Sequence, residues 1–121
     1  MKQKILYVDD DQDWRILVAD FLRENGFDAM VARDASEAMA FADRETFGLI
    51  ILDINLAGES GPGLLEFLRL NFSSVPVVLF SGQILDSLSQ HEMFKQGALE
   101  YLHKGSLPEL LEAVKRCLKI E

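Results

Sequence analysis

Near its start the chain reads Ile5-Leu6-Tyr7-Val8-Asp9-Asp10, four apolar residues followed directly by two carboxylates. An apolar run of this length is typical of a strand that is covered on both faces of a parallel sheet. Similar runs end in polar groups at three later places: Leu49–Leu52 before Asp53, Val77–Phe80 before Ser81, and Leu99–Leu102, which is interrupted by Glu100, shortly before Lys104. Ligands of open α/β sheets bind at the carboxyl edge of the strands, so these polar groups are expected to meet there.

Helical patterns alternate with these strands. Trp14, Leu17, Val18 and Phe21 recur with helical spacing and are expected to face the core, and Asn25-Gly26 ends this helix. The other expected elements are a short strand over about 28–32, helices opened by the capping boxes Asp34/Glu37 and Ser106/Glu109, a helix from Pro62, and one from about Ile84 to Lys95. This alternation predicts a flavodoxin-like, doubly wound parallel sheet of five strands in the order 2-1-3-4-5, within a three-layer α/β/α sandwich.

Length and composition predict one domain over residues 1–121, since 49% of the residues are hydrophobic. A net charge of −8, from 20 acidic and 12 basic residues, repels phosphate backbones, so we expect no direct binding of nucleic acid. No apolar stretch reaches transmembrane length, so no membrane association is expected. Cys117 is the only cysteine, which excludes an internal disulfide and favours a reducing, cytoplasmic location. We expect this side chain to fill space on the last helix.

The two adjacent carboxylates of Asp9 and Asp10 repel each other unless a cation lies between them. Mg²⁺ suits such a site because it takes a few carboxylate oxygens and keeps several waters. Asp53 completes the pocket if the first and third strands are neighbours. The alternative is that residues 9–13 are only an acidic helix cap exposed to water.

The carboxylate of Asp53 could attack a phosphorus centre, since carboxylates form aspartyl-phosphate intermediates. Ser81 would then donate a hydrogen bond to a phosphoryl oxygen, and Lys104 would add a fixed positive charge. Taken singly, each of these residues is also common as a turn former or surface group. Their occurrence at four matching strand ends favours the phosphoryl site.

The chain resembles the receiver domains of two-component response regulators from Lys4 to about Lys119. The motifs of that family occur in order as Ile5–Asp10, Leu52-Asp53-Ile54-Asn55-Leu56, Phe80-Ser81-Gly82 and Tyr101-Leu102-His103-Lys104, with Gly61 as the loop glycine. The resemblance implies a phosphoprotein of signal transduction that takes a phosphoryl group from a sensor histidine kinase or a histidine phosphotransfer protein. It further implies that the surface of the fourth helix, fifth strand and fifth helix then signals to a downstream protein or effector domain.

The resemblance also implies a role for each matching residue. Asp53 would be the phosphoacceptor, and Lys104 would pair with Asp53 and then with the phosphoryl group. Ser81 and Tyr101 would form the switch. The expected Mg²⁺ ligands are Asp10 directly, Asp9 through water, Asp53 and the Asn55 backbone carbonyl. Asn55 and Gln83 stand at the positions that tune how fast the aspartyl phosphate hydrolyses.

Two residues depart from the family pattern. Gly105 follows Lys104 where the family usually has proline, often after a cis bond, so a trans bond is expected here. Ala57 replaces a common proline in the loop after Asp53. Both departures concern loop conformation and leave the reactive groups in place.

Two other functions are compatible with parts of this pattern. A phosphohydrolase of the haloacid dehalogenase type also uses a nucleophilic aspartate and Mg²⁺, but it needs a second aspartate where this chain has Asn55. A pseudo-receiver would keep the fold as an interaction module without phosphorylation, although such modules generally lose one of the site residues retained here.

Trp14 could belong to a kinase-docking surface, although its place on the helix favours core packing. Neither His91 nor His103 is expected to donate a phosphoryl group or bind a metal.

Overall fold

Strands and helices alternate along the chain. The computed structural model describes residues 2–42, 44–54, 61–82 and 86–120. The elements in chain order are β1 (Lys4–Val8), α1 (Gln12–Glu24), β2 (Asp28–Ala32), α2 (Ala35–Met39), β3 (Leu49–Leu52), α3 (Gly61–Asn71), β4 (Val77–Ser81), α4 (Ser87–Lys95), β5 (Ala98–His103) and α5 (Leu107–Leu118). The predicted alternation is therefore confirmed.

The five strands form one parallel sheet in the order β2-β1-β3-β4-β5, which confirms the predicted flavodoxin-like order. The register pairs Val8 with Leu52 between β1 and β3, and Ser81 with His103 between β4 and β5. These pairs place the carboxyl ends of the four strands at one edge. The residues that follow these strand ends are thereby brought together, as expected for a site at the sheet's carboxyl edge.

Alternate residues of the strands fill two cores, one on each face of the sheet. Leu6, Ile50 and Leu79 lie on the side packed by α2, α3 and α4. Tyr7, Ile51 and Phe80 lie on the side packed by α1 and α5. Because side chains of a strand point to opposite faces in turn, a strand covered on both faces is apolar throughout. This arrangement is the predicted three-layer sandwich.

The helix ends follow the predicted signals. The side chain of Asp34 accepts a hydrogen bond from the Glu37 N–H at 2.9 Å. The Glu37 side chain in turn accepts one from Arg33 N–H at 2.8 Å, one residue earlier than in an ideal capping box. Gly26 has a φ of +91°, which explains why glycine follows Asn25 at the end of α1.

The expected inward orientation of Leu17 is wrong. Its side chain is 47% exposed, whereas Val18 and Leu22 are fully buried and Trp14 is half-buried. The buried stripe of α1 is centred on Val18 and Leu22, so Leu17 lies at the margin of that stripe and faces solvent. Helix α4 begins at Ser87, capped by Asp86, and the expected earlier start near Ile84 falls outside the described residues.

Candidate functional site

Asp9 and Asp10 leave the end of β1 in different environments. The Asp9 N–H donates to the Ala32 carbonyl at 3.0 Å, which extends the ladder with β2, and the Asp9 residue is fully buried. Asp10 is exposed. The cap of α1 is Asp11, whose side chain accepts hydrogen bonds from Asp13 N and Trp14 N. The alternative of an acidic helix cap exposed to water therefore applies to the residues after Asp10. It does not apply to Asp9, which is buried.

Asp53 lies beside Asp9 because the ladder between β1 and β3 continues past the last paired strand residues. The Asp53 N–H donates to the Val8 carbonyl at 2.9 Å, and the Asp53 residue is only 5% exposed. One carboxylate oxygen from each of Asp9, Asp10 and Asp53 lies within 4.8 Å of the others. The sequence prediction that these three carboxylates would form one pocket is consistent with this geometry.

Lys104 enters the pocket from the end of β5. Its Nζ lies 2.6 Å from Asp9 Oδ2 and 3.1 Å from Asp53 Oδ2, and its side chain is 7% exposed. The Lys104 N–H donates to the Ser81 carbonyl at 2.8 Å, which fixes the lysine backbone beside the end of β4. Ser81 itself is fully buried. The side chains of Asp9, Asp53 and Lys104 thus meet at one place, and the end of β4 reaches it through the backbone contact of Ser81 with Lys104.

The charges of this pocket suit a divalent cation. The formal charges of the three carboxylates and the Lys104 ammonium sum to −2, which one divalent cation would balance. The donors are carboxylate oxygens, and Asp10 is exposed to solvent, so the ion could keep part of its water shell. The residues present therefore fit Mg²⁺.

Two aromatic residues of the site were not predicted from the sequence. The Tyr7 hydroxyl donates to Asp9 Oδ2, and the Trp14 ring lies under the Lys104 ammonium with 4.8 Å between Nζ and the ring centroid. Burial and the negative charge of Asp9 raise the pKa of Tyr7 far above its usual range, so the phenol stays a donor. A tyrosine two residues before Asp9, on the same face of the strand, is the signal that could have identified this contact.

The other predicted residues have different outcomes. Asn55, Gln83 and Ala57 lie outside the described residues. Tyr101 is half-buried on β5 and packs against the core on the α2–α4 side. No cis peptide bond occurs among the described residues, so the bond from Lys104 to Gly105 is trans, as predicted.

Neither histidine belongs to the carboxylate cluster, which consists of aspartates in the part of the chain that the structure describes. The exposed His103 ring contacts the Gly82 carbonyl, with 3.2 Å between Nε2 and the oxygen. His91 is exposed on α4. Their expected exclusion from metal binding stays a prediction.

A doubly wound sheet with an acidic pocket and a buried lysine at its carboxyl edge is the architecture of a signalling receiver. Over residues 5–115 the chain matches the family described as the response regulator receiver domain, and it belongs to that family. It is 31% identical to an NtrX-like response regulator of Rickettsia bellii over 102 residues, which cover 83% of this chain and 21% of that protein.

Solved structures of response regulators share the fold. The chemotaxis protein CheY4 of Vibrio cholerae superimposes with a TM-score of 0.88 at 28% identity, covering 97% of this chain and 99% of that one. NtrX of Brucella abortus superimposes with a TM-score of 0.86 at 31% identity, covering 98% of this chain and 26% of that one.

The chain spans about a fifth of the length of the curated relatives that it matches. Among the helices that the structure describes, none combines the length and the apolar character needed to cross a bilayer.

Proposed function

We propose that Asp53 accepts a phosphoryl group from a phosphohistidine donor in a Mg²⁺-dependent reaction. The observation that carries this proposal is the buried contact of Lys104 with both Asp9 and Asp53, at 2.6 and 3.1 Å, beside the exposed carboxylate of Asp10. A lysine that bridges two carboxylates at a sheet edge can move with the charge when one carboxylate acquires a phosphoryl group.

In the reaction an Asp53 carboxylate oxygen attacks the phosphorus of the donor. The new oxygen–phosphorus bond forms as the phosphorus–nitrogen bond of the donor breaks. The electron pair of the broken bond returns to the imidazole nitrogen of the donor. Lys104 supplies positive charge to the transferred oxygens, and the buried hydroxyl of Ser81 donates to one of them. When bound by Asp9, Asp10 and Asp53, Mg²⁺ would neutralise charge on the phosphoryl oxygens.

The hydrogen bonds of Asp9 favour its expected contact with the ion through water. Asp9 Oδ1 accepts from the Asp11 N–H at 2.9 Å, and Oδ2 accepts from Tyr7 and Lys104. Little acceptor capacity is left for a direct bond to an ion. The exposed Asp10 is the better direct ligand, together with Asp53 and, as the family pattern implies, the carbonyl of Asn55.

The donor protein would dock on the first turns of α1, close to Asp10. This is supported by Ile16 and Leu17, which are 53% and 47% exposed one turn after the site. Exposed apolar side chains next to a reactive pocket suit an apolar partner surface such as a helix of a histidine kinase or histidine phosphotransfer protein.

The output surface would comprise α4, β5 and α5, with Ser81 and Tyr101 as the switch. Within the described part of α4, Met93 is the buried side chain, while Leu88 is 80% exposed and Phe94 is 41% exposed. A helix with so little buried area can change its position at low cost when a charge is added to Asp53. A downstream protein or effector domain would recognise the change.

Intact-protein mass spectrometry after incubation with a small-molecule phosphodonor tests the proposal. We expect a gain of one phosphoryl group that requires Mg²⁺ and is absent in Asp53→Ala. The matched control is Asp20→Ala, an exposed aspartate on α1 that should leave the gain intact.

Two outcomes would refute phosphoryl acceptance as the function. Mg²⁺ binding without any gain of mass by the folded wild type would leave a pseudo-receiver. Multiple turnover of the phosphodonor, at a rate that saturates with phosphodonor concentration and without any phosphoprotein, would indicate a phosphohydrolase.

A further inference from the structure

Two aromatic side chains contact the Lys104–Asp9 ion pair from its opposite ends. The Tyr7 hydroxyl donates to Asp9 Oδ2, the same oxygen that accepts the Lys104 ammonium. The Trp14 ring faces that ammonium from α1. Phe80 lies between the two aromatic rings, with edge contacts at centroid distances of 6.4 Å to Tyr7 and 5.7 Å to Trp14. The ion pair is thus held by one packed aromatic cluster.

Tyr7 acts on the anion of this pair. A carboxylate has about four acceptor sites, and three donors already reach Asp9: the Asp11 N–H, the Tyr7 hydroxyl and Lys104. A buried carboxylate that is satisfied by protein donors gains less from an arriving cation than one with a donor missing. The phenol therefore lowers the affinity of the pocket for a divalent cation.

Trp14 acts on the cation of this pair. Lys104 is followed by Gly105, which adds no side chain that could pack against the lysine, and the Gly105 N–H donates to the His103 carbonyl at 2.7 Å. The backbone before it is anchored by the hydrogen bond from Lys104 N–H to Ser81 O. The face of the Trp14 ring attracts the ammonium through its quadrupole and limits it to the space between Asp9 and Asp53.

We propose that Tyr7 and Trp14 are positioning residues of this site. Tyr7 sets the cation affinity through Asp9, and Trp14 keeps the Lys104 ammonium within reach of an oxygen on Asp53. The second half rests on the proposed phosphoryl transfer to Asp53, whereas the first half requires only that the pocket binds a divalent cation.

Tyr7→Phe tests the first half without any measurement of activity. Isothermal titration with Mg²⁺ should show an affinity roughly three- to tenfold higher than that of the wild type, because a hydrogen bond to a charged group is lost. The upward shift of the melting temperature on adding Mg²⁺ should also be larger. A variant that was merely destabilised would show no gain in affinity. An unchanged or weaker affinity of the folded variant overturns this half.

Trp14→Met and Trp14→Phe test the second half. The methionine variant should keep its Mg²⁺ affinity within about twofold and lose roughly three- to tenfold in phosphorylation rate at saturating Mg²⁺. The phenylalanine variant, which keeps an aromatic face, should recover most of that rate. Wild-type rates in both variants, or equal losses in both, overturn the second half.

The outcomes separate this inference from the proposed function. A wild type that binds Mg²⁺ and takes up no phosphoryl group refutes the function, and the Tyr7→Phe titration then still decides the first half. A wild type that binds no Mg²⁺ overturns both. If Trp14→Met does not fold, the phosphorylation rate of Trp14→Phe is compared with that of the wild type. A loss of rate in Trp14→Phe greater than the loss expected for Trp14→Met contradicts the aromatic role.

Discussion

Replacing Lys104 with methionine removes the ammonium that contacts both Asp9 and Asp53. The lysine side chain is 7% exposed, and the two carboxylates are nearly buried, so solvent screens this interaction weakly. Methionine has a similar length and no charge. The variant therefore removes the positive charge beside both buried carboxylates and changes the packing little.

The distances give the size of the expected effect. At an effective dielectric constant of about 20, unit charges 2.6 and 3.1 Å apart attract by about 6 and about 5 kcal/mol. Desolvation of the charged groups offsets much of this attraction, and breaking a buried ion pair costs about 3–5 kcal/mol. We expect Lys104→Met to lower the free energy of unfolding by an amount in this range. Excess Mg²⁺ should recover most of the loss, because the ion supplies the missing positive charge.

Urea denaturation with and without Mg²⁺ measures both parts of this prediction. The matched control is Lys95→Met, an exposed lysine on α4 that should change stability by no more than about 0.5 kcal/mol. A loss below about 1 kcal/mol for Lys104→Met would be the value of an exposed pair and would refute the reasoning. So would a full loss that Mg²⁺ leaves unchanged.

Two further results are expected. Gly97→Ala should lower the free energy of unfolding by about 1–3 kcal/mol in the same denaturation assay, because Gly97 has a φ of +107°, a backbone conformation that strains alanine. The Arg69 Nε, 2.7 Å from a Cβ at this position, belongs to a flexible side chain that can move aside. Gly82→Ala is its control, with nothing within 4 Å of the added carbon, and equal losses in the two variants would contradict the argument. Burial, followed by the charge of Glu100, raises the pKa of the Cys117 thiol from 9.0 to about 11. Alkylation of the native protein at pH 8 should therefore be about a hundredfold slower than that of the urea-unfolded chain and should accelerate toward pH 11; equal rates would show that the thiol is unperturbed.

The strand ends could be predicted from the sequence because they depend on local features. Each apolar run is short and ends abruptly, so the positions of Asp9, Asp53, Ser81 and Lys104 follow from where the strands stop. Parallel pairing then brings these ends to one edge whatever the details of packing. The same reasoning predicted the strand order, the capping residues at Asp34 and the three layers.

The outward position of Leu17 could not be predicted in this way. Helical spacing alone places Leu17, Trp14 and Val18 on one broad apolar stripe. The rotation of α1 against the sheet decides which edge of that stripe is buried, and it depends on how Leu22 and Val18 pack against residues distant in sequence.

The sequence by itself determined which charged groups reach the site, because strand ends are marked in the local pattern of apolar and polar residues. Only the tertiary structure decided how those groups are shared: Lys104 lies closer to Asp9 than to Asp53, Tyr7 donates to the same Asp9 oxygen, and Trp14 faces the lysine. These contacts join side chains from separate elements and change with the angle and distance at which the helix packs on the sheet. A one-dimensional pattern carries no record of that geometry.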